Sequence, residues 1–115
     1  MPPIKYLRIL QPEEKYLSAY MIILAEINDR DRFMAYASQA SKLVEQFGGE
    51  YIVQRTKKSE CLEGDWPKET KVVISKWPSF EAAKEFWHSH EYEKIKKLRL
   101  GNATVRVRLV EAILE

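Results

Sequence analysis

Apolar and polar residues alternate along the chain in segments that predict four strands. Residues 19–27 (AYMIILAEI) are apolar with little interruption, a pattern typical of a strand buried on both faces. Residues 50–55 and 71–77 have the shorter apolar runs of a second and a third strand, joined as a hairpin. Residues 104–114 alternate valine and leucine with arginine and predict a last strand with one solvated face.

Two helical regions separate these strands. Residues 30–47 carry apolar side chains at spacings of three and four, after an aspartate-rich turn and before the helix-ending pair Gly48–Gly49. Ser79 and Ser89 each precede a helical stretch, so the second region should be broken near His88. The order β-α-β-β-α-β predicts a ferredoxin-like α+β sandwich, an antiparallel four-stranded sheet with helices on one face.

The first strand predicts a partner for the sheet. Two helices cover only one face of four strands, yet residues 19–27 are apolar on both faces. An uncovered apolar face indicates an interaction surface, and a second copy of the chain is the simplest occupant. We therefore expect residues 19–115 to form a domain that pairs as a homodimer through its sheet faces. Residues 1–18 should form an N-terminal extension that packs outside this domain or adds a short strand.

Composition narrows the classes of function. The 115 residues suit one domain, and a net charge of +2 is weak for a nucleic-acid-binding protein. The longest apolar run, residues 19–25, is too short to span a membrane, and the N-terminus does not have the pattern of a signal peptide. The single cysteine, Cys61, excludes an intrachain disulfide and a cysteine-based metal cage and fits the cytoplasm. No phosphate-binding loop, nucleophile elbow or zinc-protease motif occurs, and we expect no cofactor.

Several short motifs resemble those of one family. They are FGGEYIVQR at 47–55, LEGDW at 62–66, WPSFEAA at 77–83, SHEY at 89–92 and LR at 98–99. In this order they resemble the family called domain of unknown function 1330, in the dimeric α+β barrel superfamily, over residues 19–114. The resemblance implies a ferredoxin-like protomer and a homodimer whose sheets face each other, and it implies no reaction. Members of the superfamily include cofactor-free monooxygenases, haem-degrading enzymes and lactone isomerases, which use a cavity between the helices and the sheet.

Three charged residues around the predicted hairpin are candidates for ligand binding. Arg55 should share a strand face with Tyr51 and Val53, where its planar guanidinium would suit a carboxylate ligand. A structural ion pair with Glu63 or Asp65 is the alternative. These two carboxylates flank Gly64 and have two interpretations, acid–base chemistry or the capping of a turn.

His88 and the helix-face aromatic residues form a second group of candidates. His88 and His90 lack an evident third metal ligand, so we expect no metal site; His88 could transfer protons or simply lie on the surface. Aromatic residues facing a sheet are most often core. If a cavity exists, the polar tips of Tyr36, Trp87 and Tyr92 would orient a ligand, and Arg99 would be a further anion contact.

Two hypotheses about function remain open. The first is a homodimer that binds a small anionic metabolite or acts as a non-catalytic binding module. The alternative is a cofactor-independent enzyme, monooxygenase-like or isomerase-like, that acts on a small organic acid in the helix–sheet cavity. In that case Arg55 would hold the substrate, and Glu63 or His88 would transfer protons.

Overall fold

The computed structural model describes residues 17–67 and 69–113 of the chain. The elements are β1 (Leu17–Ile27), α1 (Arg30–Gln46), β2 (Glu50–Val53), β3 (Thr70–Trp77), α2 (Phe80–Trp87), α3 (His90–Lys96) with a 3₁₀ turn (Lys97–Arg99), and β4 (Ala103–Ile113). This is the predicted β-α-β-β-α-β order, with the second helical region divided. Residues 1–16 lie outside the described residues, and so does all but the end of the predicted extension 1–18. None of the helices in the described part of the chain is long and apolar enough to cross a membrane.

The four strands form one antiparallel sheet in the order β2-β3-β1-β4. Ile22 of β1 stands opposite Ile74 of β3 on one side and Arg108 of β4 on the other. The most apolar strand is therefore central, and the strand that alternates arginine with valine and leucine lies at an edge. This arrangement confirms the ferredoxin-like α+β fold.

Strand β2 is shorter than the pattern predicts. Its pairing with β3 shifts register between Tyr51 and Val53, and the strand ends at Val53. An irregularity of this kind bends the strand and interrupts the ladder. The prediction that the strand continues to Arg55 is therefore wrong. Residues 54–67 and 69, which we call the β2–β3 loop, follow instead.

Each helix begins at a side chain that accepts a backbone hydrogen bond. Asp29 Oδ1 accepts from the amide of Arg32 at 3.2 Å and starts α1. Ser79 and Ser89 do the same for α2 and α3, each at 3.0 Å. These bonds satisfy amides that a helix leaves free at its first turn. The predicted caps and the predicted break near His88 are confirmed.

The end of α1 brings the helix layer close to the sheet. Gly48 has φ +89°. Its amide donates to the carbonyl oxygen of Glu45 at 3.1 Å, and the amide of Gly49 donates to that of Val44 at 2.8 Å. These two hydrogen bonds form a Schellman motif. A Cβ on Gly49 would lie only 2.8 Å from atoms of Trp77 and Val44. The glycine therefore allows the chain to turn directly against the buried Trp77.

The two faces of β1 have different surroundings. On the helix side, Ala19, Met21 and Ala25 are buried and belong to the core. The other side, which we call the open face, carries the half-buried β1 residues Tyr20, Ile22 and Leu24. No helix of the described residues covers the open face, since α1, α2 and α3 pack on the opposite side.

Candidate functional site

A cluster of polar and aromatic side chains lies between the helices and the sheet. Tyr36 of α1 and Tyr92 of α3 have their hydroxyl oxygens 2.8 Å apart. The guanidinium carbon of Arg99 lies 5.5 Å from the centre of the Tyr36 ring. Tyr92 is 2% exposed and Arg99 only 8%. We call these three residues the Tyr–Tyr–Arg cluster.

The break between α2 and α3 places Tyr92 in this cluster. Ser89 accepts a hydrogen bond from the Tyr92 amide, and its hydroxyl donates to the carbonyl oxygen of Phe86 at 2.7 Å. The new helix therefore starts in a fixed position relative to α2. The Tyr92 ring then packs 4.6 Å from the ring of Phe86 and 5.0 Å from that of Trp87, centre to centre.

Asn102 holds the turn that carries Arg99. Its side-chain nitrogen donates to the carbonyl oxygen of Leu98 at 2.6 Å. Its own carbonyl oxygen accepts from the amides of Asn28 and Asp29, at 2.6 and 3.1 Å, where β1 leads into α1. The buried Asn102 thus ties the Arg99 turn to the start of the helix that carries Tyr36. The sequence analysis did not identify Asn102 as a residue of the site.

The charge of Arg99 has no carboxylate partner in the cluster. Burial opposes the charge, but the phenol oxygens of Tyr92 and Tyr36 outweigh burial and raise the pKa of Arg99; no acidic side chain of residues 17–67 and 69–113 takes part. The Nε atom is buried and has no hydrogen-bond partner among residues 17–67 and 69–113. Buried charges are normally paired, because removing one from water costs several kcal/mol. Arg99 therefore leaves a positive potential in the helix–sheet layer.

Burial keeps the nearby phenols protonated. It is the largest cause that raises the pKa of Tyr36 far above the usual value, and the proximity of Tyr92 adds to it. Burial, followed by the effect of Tyr92, raises the pKa of Tyr51 to about 12. At neutral pH these hydroxyls therefore carry their protons and can donate hydrogen bonds.

Tyr36 and Tyr92 of the cluster line a very small space, which we call the inner cavity. Its volume is about 20 Å³, enough for about one water molecule. Its polar lining comes from Tyr36, Tyr51, Ser75 and Tyr92, and the rest is apolar. The aromatic side chains themselves, including Trp87, fill most of the space between helices and sheet. The layer therefore contains no large closed chamber at this point.

A larger opening, which we call the outer cleft, lies between α2 and the edge strand β4. Its volume is about 370 Å³. The floor is apolar and the rim carries two basic side chains; the residues are Met21, Phe80, Lys84, Trp87, His88, Val107 and Leu109. Met21, Trp87 and Val107 also line the inner cavity. The two spaces are therefore neighbours, with Trp87 in the wall between them.

The structure brings together some of the predicted site residues and separates others. Tyr36, Tyr92 and Arg99 meet in the cluster, with Trp87 against it and His88 at the outer cleft. The other predicted ligand-binding or catalytic residues are exposed on the β2–β3 loop: Arg55, Glu63 and Asp65. Arg55 lies there because β2 ends before it, so the prediction that it shares the strand face of Tyr51 is wrong.

The sequence analysis did not identify Ser75 and Tyr51 as site residues. Strand register places both on the helix side of the sheet, because Tyr51 pairs with Ser75 and Ser75 pairs with the buried Met21.

No group of three His, Cys, Asp or Glu side chains in the described part of the chain is placed to hold a metal ion.

A family model matches most of the chain. The model described as domain of unknown function (DUF1330) matches residues 18–113. No curated protein shows significant similarity to the chain.

Solved structures share the fold at low sequence identity. The protein of unknown function RPA0582 from Rhodopseudomonas palustris is 19% identical, with a TM-score of 0.67 over 100% of this chain and 95% of that chain. SnoaB, a cofactor-independent oxygenase from Streptomyces nogalater, is 9% identical, with a TM-score of 0.63 over 81% and 90% of the two chains. A conserved protein from Methanosarcina mazei is 10% identical, with a TM-score of 0.58 over 89% and 97%. At these identities the similarity shows the fold alone.

Proposed function

Because the chain belongs to the DUF1330 family, whose name assigns no reaction, we propose a function from the geometry of its own cluster. The protein binds a small organic anion between its helices and its sheet. The observation that carries this proposal is Arg99, an arginine that is 8% exposed and is accompanied, within the described residues, by two phenols rather than a carboxylate. An anionic ligand held beside Tyr36 and Tyr92 would lie close to this charge and offset it.

The outer cleft has the size and the lining for the body of such a ligand. Its volume of about 370 Å³ lies in the usual range of small-molecule sites, from roughly 300 to 1,000 Å³. The floor of Met21, Val107 and Leu109 suits an aromatic or aliphatic group. Lys84, which lines the same cleft, adds positive potential that favours the approach of an anion. The ligand class is therefore a carboxylic acid with a compact apolar body.

We further propose that the protein is a homodimer that pairs through the open faces of two sheets. The open face has an apolar centre formed by strands β1 and β3, at Ile22, Leu24, Val72 and Ile74. These side chains are only half-buried within one protomer, and a second copy would cover them symmetrically. This pairing leaves the outer cleft, on the opposite side of the sheet, open to ligand. With its single cysteine, such a dimer suits the reducing cytoplasm.

Thermal-shift and calorimetric titrations with benzoate, phenylacetate and hexanoate test the binding proposal. At least one of these acids should raise the melting temperature saturably, since a ligand of the native state stabilises it. Benzylamine, which has the same apolar body with a positive charge, should not. The Arg99→Met variant should lose the response, and the matched Arg32→Met variant, altered at an exposed arginine of α1, should keep it.

Two results would overturn the proposal. One is that none of the three acids binds the folded wild-type protein. The other is that Arg99→Met, shown to be folded by circular dichroism, binds them as tightly as wild type. If Arg99→Met does not fold, Arg99→Lys replaces it in the test, because lysine keeps the charge and lacks the planar guanidinium. Its affinity for the acids should be lower than that of wild type without being lost.

The second candidate function is a cofactor-independent enzyme, and the position of His88 favours it. An imidazole can act as a general acid or base, and His88 lines the outer cleft next to Trp87, where a ligand would lie. The test is deuterium exchange at the benzylic carbon of phenylpyruvate in heavy water, followed by nuclear magnetic resonance. Exchange should be faster with the protein than without it, should fall with His88→Gln and should persist with His90→Gln. Equal exchange with and without the protein would exclude this candidate.

A further inference from the structure

We infer that the inner cavity receives one acceptor oxygen of the ligand, a carbonyl, carboxylate or phenolate oxygen, which enters when Trp87 is displaced. This inference rests on the proposed function and specifies the chemistry of the site. It follows from the hydroxyl protons around the cavity, from the size of the cavity and from the position of Trp87.

Tyr36 and Tyr92 have two hydroxyl protons, and only one of them is used in the hydrogen bond between the two residues. The 2.8 Å contact between the Tyr36 and Tyr92 oxygens consumes one proton, whichever residue donates it. Arg99 can only donate hydrogen bonds, so it cannot accept the other proton. Within the described residues, neither phenol has a second acceptor. One phenolic O–H is therefore available to the inner cavity, which both residues line.

Ser75 supplies a second donor to the same space. Its oxygen already accepts a hydrogen bond from the indole nitrogen of Trp77 at 2.8 Å, and its side chain is buried. The hydroxyl proton of Ser75 finds no acceptor in the ranges 17–67 and 69–113. Tyr51, whose hydroxyl stays protonated because burial raises its pKa, also lines the cavity. Donors thus predominate around this space, and Arg99 lies behind one of its lining residues, 5.5 Å from the centre of the Tyr36 ring.

The size of the inner cavity restricts what can accept these bonds. About 20 Å³ admits one oxygen atom and excludes a complete carboxylic acid with its carbon skeleton. A carbonyl or ionised oxygen is a pure acceptor and matches a ring of donors. A water molecule would bring two further protons to a site where donors already predominate. The positive charge of Arg99 further favours an oxygen that carries or develops negative charge.

Trp87, together with Met21 and Val107, lies between this cavity and the outer cleft. It lines both spaces and is the last residue of α2, where the helix ends before the Ser89 cap. Its ring is half-buried, with the ammonium of Lys96 4.7 Å from the ring centre. A small rotation of this side chain would connect the cleft with the cavity. The ligand would then place its body over Met21 and Val107 and its oxygen among the hydroxyls.

Spectroscopic titration of 4-nitrophenol tests the inference, because its ionised form is coloured. A cavity lined by hydroxyl donors should bind the phenolate better than the phenol, so binding at a fixed pH should raise the ionised fraction of 4-nitrophenol. Tyr92→Phe and Ser75→Ala should each weaken phenolate binding about tenfold, the effect of losing one hydrogen bond to a charged group. The matched Tyr20→Phe variant, altered on the open face, should behave as wild type. Trp87→Ala should speed association, and Trp66→Ala, altered on the exposed loop, should not.

The outcomes separate this inference from the proposed function. If the acids bind and need Arg99, but Tyr92→Phe and Ser75→Ala leave phenolate affinity and ionisation unchanged, the inference is overturned and the proposed function stands. If neither the acids nor 4-nitrophenol binds, both are overturned. A crystal structure with benzoate gives an independent answer: a carboxylate oxygen in the inner cavity supports the inference, and a water there with benzoate elsewhere refutes it.

Discussion

Burial controls the acid–base behaviour of the tyrosines around the inner cavity. Tyr51 belongs to a short strand and Tyr36 to a long helix, yet both line the same small space. The neutral phenol tolerates this environment far better than the phenolate does. The site should therefore keep its donors over the whole physiological pH range and fail only in strong alkali.

The raised pKa values of these tyrosines should make the protein less stable at alkaline pH. The pKa of Tyr51 rises from 10.0 to about 12 in the folded protein. Below pH 10 both states hold the proton, and the contribution to stability is fully present. Between pH 10 and about 12 the unfolded chain releases its proton first, so the free energy of unfolding should fall as pH rises. Tyr36 should extend this loss in the same direction.

Urea unfolding over this pH range measures the effect. The Tyr51→Phe variant should lose stability less steeply with pH than wild type, since it has no proton to release. Tyr20→Phe, altered outside the inner cavity, controls for the removal of one phenol. Identical pH dependence of Tyr51→Phe and wild type would contradict the prediction.

At the scale of single residues, the sequence predicted part of the cluster. Tyr36, Tyr92 and Arg99 were identifiable because helical spacing places them towards the sheet. Arg55 was misplaced because the register shift in β2 depends on β3, which local pattern does not encode. Ser75 was missed because its role depends on two contacts that exist only in the folded sheet. It pairs with Met21, and its oxygen accepts a hydrogen bond from the indole nitrogen of Trp77.

At the scale of elements, the two serine caps have different consequences for the site. Ser79 starts α2 at its outer end, whereas Ser89 starts α3 and fixes Tyr92. Both signals are local in the sequence, which explains why the helix starts were predictable and the end of β2 was not. The caps therefore provide a matched pair of substitutions.

Ser79→Ala and Ser89→Ala should each reduce the free energy of unfolding by about 1 kcal/mol, the usual cost of removing a cap. Only Ser89→Ala should also weaken benzoate binding, because it releases the amide of Tyr92 and the contact with Phe86. Urea unfolding and calorimetry on the same samples measure the two effects. Ser59→Ala, on the exposed loop, provides the baseline. Equal loss of benzoate affinity in both cap variants would contradict this assignment.

At the scale of the whole molecule, the division of the sheet into two faces organises the proposed functions. The helix side holds the Tyr–Tyr–Arg cluster and both spaces around Trp87. The open face carries the apolar centre around Ile22, flanked on β4 by Arg106 and Arg108. The continuous apolar character of β1 indicated this division from the sequence. The small size of the inner cavity was not predictable, because it depends on how several aromatic rings pack.

The Ile22→Glu variant should convert a dimer into a monomer. It places a charge at the centre of the proposed interface, opposite Ile74 of the same sheet, without altering the helix side. Size-exclusion chromatography with light scattering gives the mass of each species. Leu62→Glu, on the exposed β2–β3 loop, should leave the wild-type mass unchanged. A monomeric wild-type protein at micromolar concentration would disprove the pairing.

The exposed Cys61 gives this chain a natural attachment point for a probe. It is the only cysteine in the sequence and lies on the β2–β3 loop, away from the core. A nitroxide label would therefore react at one place per protomer without any engineered substitution. Two protomers paired through their sheets would carry two such labels, and pulsed electron resonance would report one distance between them. The same label would report whether that distance changes when the outer cleft fills.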